Sequence, residues 1–126
     1  MPSLVLVIIP FKNAAPWLAD AIESCLAQTW GELEVVLVDN GSTDASVEVV
    51  RRYASPRVAL LACGREGASA SRNVGLDKAR GAFIQFLDAD DVLDRDKIRI
   101  QMERLGQGPA LAPFRSQASS VTFGDS

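Results

Sequence analysis

Four short apolar runs, separated by segments with helical periodicity, leave this chain few ways to fold. Leu4 to Ile9, Leu33 to Val38, Val58 to Ala62 and the run beginning at Phe83 are rich in β-branched and aromatic residues, with little polar alternation. Runs of this kind read as strands covered on both faces, as in a parallel sheet. Between and after them, apolar residues recur at helical spacing. They are Trp17, Leu18, Ala21, Ile22, Cys25 and Leu26, then Val47, Val50 and Tyr53, then Ala70, Val74, Leu76 and Ala79, and finally Ile98, Met102 and Leu105. Strands alternating with helices imply βαβ units, and hence an α/β fold of three layers around a mostly parallel sheet.

The punctuation supports this reading. The first strand is expected to stop at Pro10, with a helix opening at Asn13 or Ala14 and Pro16 in its first turn. Thr43 or Asp44 is expected to cap the second helix, and Asp94 and Asp96 to cap or start the last one. Trp17 and Trp30 flank the first helix as packing residues. The third helix is expected to run to Gly81 and the fourth to end at Gly106. Residues 1–105 therefore form one domain. Residues 106–126, dominated by Gly, Pro, Ala and Ser, form a tail that is partly disordered or pairs as an edge strand at Ser120 to Phe123.

Composition removes several classes of chemistry. The chain has 126 residues and a formal net charge of −3, so nucleic acid is not an expected partner. It has no histidine, which excludes Ser-His and Cys-His catalysis and imidazole metal sites. Cys25 and Cys63 lie far apart among apolar residues and read as buried free thiols of a reducing compartment. No apolar run approaches membrane-spanning length. A cytoplasmic location is expected, with peripheral contact at the inner membrane face left open.

The chemistry that remains centres on carboxylates. Phe83-Ile84-Gln85-Phe86-Leu87 breaks into Asp88-Ala89-Asp90-Asp91, three acids within four positions. Acids delivered by a strand to the carboxyl edge of a sheet sit where open α/β folds hold their ligands. Asp88 and Asp90, two residues apart on an extended chain, can point to one side. All-oxygen ligands suit Mn²⁺ or Mg²⁺. The bland alternative is a solvated turn leading into the last helix. Two other strands end in Pro10-Phe11-Lys12-Asn13 and Asp39-Asn40-Gly41-Ser42. In a parallel sheet all three ends share one edge and can meet one ligand. A nucleoside diphosphate fits: Asp39 and Asn40 accept from base and ribose, Asp88 from ribose hydroxyls, Asp90 holds the cation, and Asn13 donates.

Val7-Ile8-Ile9-Pro10-Phe11-Lys12-Asn13, Val38-Asp39-Asn40-Gly41-Ser42-Thr43-Asp44, Ala70-Ser71-Arg72-Asn73-Val74-Gly75 and Phe86-Leu87-Asp88-Ala89-Asp90-Asp91 occur in that order. Together they resemble the family 2 glycosyltransferases, inverting enzymes of the GT-A fold, over roughly residues 4 to 105. Ser24-Cys25-Leu26-Ala27-Gln28-Thr29-Trp30 resembles the end of that family's first helix. The resemblance implies that Asp88-Ala89-Asp90 is a DXD motif, with Asp90, and Asp88 beside it, holding the metal on the donor diphosphate. It also implies that Asp39 and Asn40 read the base, that Pro10 and Asn13 wall the nucleotide, and that Arg72 lies beside base and phosphates. Arg72 has a plainer alternative, an ion pair with Asp44. An amide at position 40 is a neutral acceptor for the N3–H of uracil or thymine, so a UDP- or dTDP-sugar is the expected donor.

The implied acceptor is a glycan or lipid-linked glycan. The general base and acceptor site are expected to lie outside this chain, leaving it the donor-binding half. Two other readings stay open: a non-catalytic nucleotide-binding or assembly module, and a haloacid dehalogenase-type phosphohydrolase with Asp88 as nucleophile. Homodimerisation through an unpaired sheet edge is open as well.

Overall fold

A computed structural model describes residues 4–79 and 83–107. Its elements alternate as expected: β1 (Val5–Phe11), α1 (Ala15–Leu26), β2 (Leu33–Asp39), α2 (Ser46–Arg52), β3 (Val58–Ala62), α3 (Ala68–Leu76), β4 (Phe83–Phe86) and α4 (Lys97–Gln107). The four strands form one sheet in the order β3-β2-β1-β4, and every neighbouring pair is parallel. Phe11 stands opposite Asp39, and Asp39 opposite Ala62, so three strand ends are level along one edge.

The two faces of the sheet bury different residues, as a period of two requires. Val5, Val7, Ile9 and Phe11 pack with Leu18, Ile22 and Cys25 of α1, Val49 and Val50 of α2, and Ile98 and Met102 of α4. Leu6 and Ile8 turn the other way, with Val36, Val38, Ile84 and Phe86, against Val74 and Leu76 of α3. This accounts for the unbroken apolar run of β1: the strand is central and both its faces are covered.

β1 continues one residue beyond Pro10, which the sequence reading made its end. The pairing explains this. Beyond Ile8, opposite Phe86, β4 no longer lies beside β1, while the Phe11 carbonyl accepts from the Asn40 N–H on the β2 side. The missing N–H of Pro10 therefore faces a side with no ladder bond to lose. α3 closes on Leu76, short of Gly81, which lies outside the described residues, as does the strand-like segment at Ser120 to Phe123. α4 runs one residue past Gly106. Trp30 packs on the core, but Trp17 is 50% exposed and is not a packing residue. Cys25 is buried, and Cys63 only partly so. Among the described residues no helix is long and apolar enough to cross a membrane.

α3 approaches the sheet closely, and Gly75 makes this feasible. A Cβ at that position would stand 2.6 Å from Ile8 Cγ2. The absent side chain lets the helix seat against β1 and fixes where its N-terminal turn meets the sheet edge.

Candidate functional site

At the carboxyl edge of the sheet a cleft of about 350 Å³ opens between β1, β2, α3 and the loop after β4. Pro10, Phe11 and Lys12 form one wall, and Asn40 lies beside them at the end of β2. Glu66, Gly67 and Ala68, at the start of α3, line the cleft as well, with Ser71, Arg72 and Asp88. Each group is there because of where its element lies: the strand ends deliver Pro10, Asn40 and Asp88, and the N-terminal half of α3 delivers Ser71 and Arg72.

The turn after β2 is held from within. Asp39 accepts from the Ser42 N–H at 2.9 Å. Asn13, in the left-handed region at φ 53°, accepts through Oδ1 from the N–H groups of Thr43 (2.7 Å) and Asp44 (3.2 Å), and its own N–H donates to the Ser42 hydroxyl. Asn13 thus locks the first strand-end loop onto the second, and neither it nor Asp39 lines the cleft. Asp44 serves two helices. Oδ1 accepts from the Ser46 N–H and hydroxyl, and Oδ2 from the Ala15 N–H at the start of α1. These bonds, led by the Ser46 hydroxyl, lower the Asp44 pKa against the opposing effect of burial.

The Asn40 carboxamide faces the loop before α3. Nδ2 donates to the Arg65 carbonyl at 2.7 Å, and Oδ1 accepts from the Gly67 N–H at 3.1 Å. One partner is an acceptor and the other a donor, so they fix the orientation of the amide. Gly67 sits at φ 108°, a conformation that favours glycine. Asn40 therefore shapes the cleft by holding the loop before α3.

Arg72 places its guanidinium 5.8 Å from the centre of the Phe86 ring. Among the described residues it makes no ion pair with Asp44. Its charge instead acts on Asp88. Desolvation raises the Asp88 pKa above its ordinary value, the Asp91 and Asp90 charges push the same way, and Arg72 opposes them. Asp88, Asp90 and Asp91 each offer one carboxylate oxygen, all within 4.8 Å of one another. An exposed all-oxygen set with mutual repulsion fits a hard divalent cation such as Mn²⁺ or Mg²⁺, which would relieve that repulsion.

Of the residues expected at the site, Pro10, Asn40, Arg72 and Asp88 surround the cleft, Asp90 joins Asp88 in the acidic cluster, and Asp39 and Asn13 brace the loops behind. Sequence reasoning counted Asp91 in the acidic run but gave the cation to Asp88 and Asp90 alone, whereas Asp91 offers a third oxygen to the same cluster. It also missed Lys12, Glu66 and Ser71, whose places follow from loop packing that no local spacing reveals. Among the described residues the buried Ser71 hydroxyl has no hydrogen-bond partner.

The family model of glycosyl transferase family 2 matches residues 6–124. An uncharacterized glycosyltransferase of Haemophilus influenzae is 40% identical over 102 residues, which are 79% of this chain and 41% of the relative. The succinoglycan biosynthesis protein ExoO of Rhizobium meliloti is 40% identical over 105 residues, 82% of this chain and 30% of that protein. This chain therefore spans well under half the length of either relative. Among solved structures, a mannosyltransferase of Pyrobaculum calidifontis in complex with GDP-Man and Mn²⁺ superposes with a TM-score of 0.74 at 32% identity, over 86% of this chain and 34% of that one. TarS of S. aureus superposes with a TM-score of 0.74 at 27% identity, over 82% and 20% of the two chains. These neighbours have the GT-A architecture, and with the family match they decide the assignment: the chain belongs to glycosyl transferase family 2.

Proposed function

We propose that this chain is the donor-binding part of an inverting glycosyltransferase that takes a nucleoside diphosphate sugar. The observation that carries the reading is the convergence on one cleft of Asn40, Arg72 and Asp88, with Asp90 and Asp91 clustered on Asp88. The Asn40 end of the cleft faces the nucleoside, with Asp39 bracing the turn behind it; Asp88 and Arg72 face the ribose and diphosphate, and Asp88, Asp90 and Asp91 would hold Mn²⁺ or Mg²⁺. The relative with GDP-Man and Mn²⁺ in its site supports both the donor class and the metal.

Direct displacement at the anomeric carbon leaves negative charge on the departing diphosphate. A bound divalent ion supplies Lewis-acid stabilisation of that charge. Arg72 adds a fixed positive charge on the same side, held rigid by Phe86. Asn40 keeps the loop before α3 in place, so the donor is oriented before reaction. The acceptor hydroxyl is deprotonated by a carboxylate supplied outside the described residues, in the longer protein of which the relatives are examples. We place the reaction in the cytoplasm, in keeping with the two free thiols. Asp88 follows the fourth strand in chain order, whereas a haloacid dehalogenase-type nucleophile follows an early one, so the phosphohydrolase reading gains no support.

Equilibrium dialysis of a nucleoside and its diphosphate against the chain tests this reading. Arg72→Ala should weaken the diphosphate while leaving the nucleoside unchanged; equal loss for both would refute the role given to Arg72.

A further inference from the structure

The acidic loop between β4 and α4 is fastened at both ends, and the far fastening comes from the last turn of α1 and the residues just after it. At the near end the Leu87 N–H donates to the Ile8 carbonyl at 3.0 Å. At the far end the Ser24 hydroxyl accepts from the Leu93 N–H at 3.0 Å. Gln28, only 7% exposed, donates through Nε2 to the carbonyls of Asp94 (2.6 Å) and Ser24 (3.2 Å) and accepts through Oε1 from the Ile98 N–H at 3.1 Å. The Thr29 N–H donates to the Arg95 carbonyl, and its hydroxyl to Asp96 Oδ1 at 2.7 Å. Asp96 is thus occupied by Thr29, and the first turn of α4 is capped by Gln28, across 70 residues of sequence.

Only residues 88–92 lie between the two fastenings, and they carry all three carboxylates. Like charges within 4.8 Å drive a loose loop apart. We infer that the segment from Ser24 to Thr29, at and just beyond the C-terminal end of α1, Gln28 above all, is a positioning element that sets the spacing of the Asp88–Asp91 carboxylates for a divalent cation. This rests on the reading of that loop as the cation site. Gln28 touches no ligand; it acts through the backbone at Asp94 and Ile98. Residues behind metal ligands typically change affinity by about 10–100-fold when altered.

The experiment is a titration of the whole chain with Mn²⁺, reading free Mn²⁺ by its paramagnetic resonance, alongside hydrogen exchange of residues 87–96. Gln28→Glu keeps the acceptor for Ile98 but sets a carboxylate against two carbonyls. Thr29→Val removes one hydroxyl at constant shape and covers the case in which Gln28→Glu does not fold. Met102→Ala destabilises α4 through a core cavity while leaving the fastening intact. The expected result is Mn²⁺ affinity weaker by about tenfold in Gln28→Glu, weaker in the same direction in Thr29→Val, and unchanged in Met102→Ala, with faster exchange only in the first two. Wild-type affinity in both fastening variants, or equal losses in all three, would overturn the inference. A wild-type chain that binds no Mn²⁺ would instead overturn the cation site itself, and the inference with it.

Discussion

Gly75→Ala should destabilise the protein even though alanine is the better helix former. An added Cβ stands 2.6 Å from Ile8 Cγ2, 3.2 Å from Cδ1 and 3.3 Å from Cγ1. Cγ2 cannot swing away, because Ile8 is fully buried in the central strand and β-branched side chains have little χ1 freedom. Overpacking costs about 1–3 kcal/mol, and a contact this short belongs near the top of that range. The helix-propensity gain of about 1 kcal/mol offsets only part of it, leaving a net loss of about 2 kcal/mol. For a domain of this size that is a fall in Tm of roughly 8–16 °C. Ile8→Ala removes the obstructing atoms. In that background Gly75→Ala should be neutral or stabilising, giving a coupling of about 2–3 kcal/mol in a double-mutant cycle read by urea unfolding. Because α3 carries Arg72, the single variant should also bind nucleoside diphosphate more weakly. An unchanged or higher Tm, or the same penalty in both backgrounds, would refute the reasoning.

Three further outcomes follow from named contacts. Asn40→Asp sets a carboxylate against the Arg65 carbonyl, so limited proteolysis should cut faster at residues 64–67 and nucleotide affinity should fall. The lowered Asp44 pKa contributes stability in full above the ordinary aspartate value near 4, lost as pH falls through the lowered folded value; Asp44→Asn should flatten this acid limb in Tm-against-pH curves. Burial pushes the Cys25 thiol up to about 12, so a thiol reagent should label Cys63 in the native chain and Cys25 only after unfolding.

The strands were legible because burial on both faces writes itself into the sequence as unbroken apolar runs. The convergence of Pro10, Asn40 and Asp88 was legible because parallel strands have their carboxyl ends on one edge. Helix capping was legible only where the cap adjoins its helix, as with Asp44 at the start of α2. Asp44 caps α1 from 29 residues away, and Gln28 caps α4 from 70. Spacing rules see only a cap beside its own helix: Asp96 does precede α4, but the side chain that caps its first turn is that of the distant Gln28. The role of Asn40 was ambiguous for a similar reason: its amide suits a base edge or a backbone loop equally well, and only the fold brings Arg65 and Gly67 to it. The glycine at position 75 carried a signal that propensity alone misses, since an isolated glycine inside a helical pattern often marks a close approach.

The most direct test of donor binding is a thermal titration of the purified chain with UDP, dTDP, GDP and ADP, each with and without Mn²⁺, repeated on Asp90→Ala. Ligand at about a hundredfold over its Kd adds close to 2.7 kcal/mol, an easily read rise in Tm. A rise with a nucleoside diphosphate that requires Mn²⁺ and disappears in Asp90→Ala is the predicted result. No rise with any of the four, or one that survives the loss of Asp90, would contradict the account.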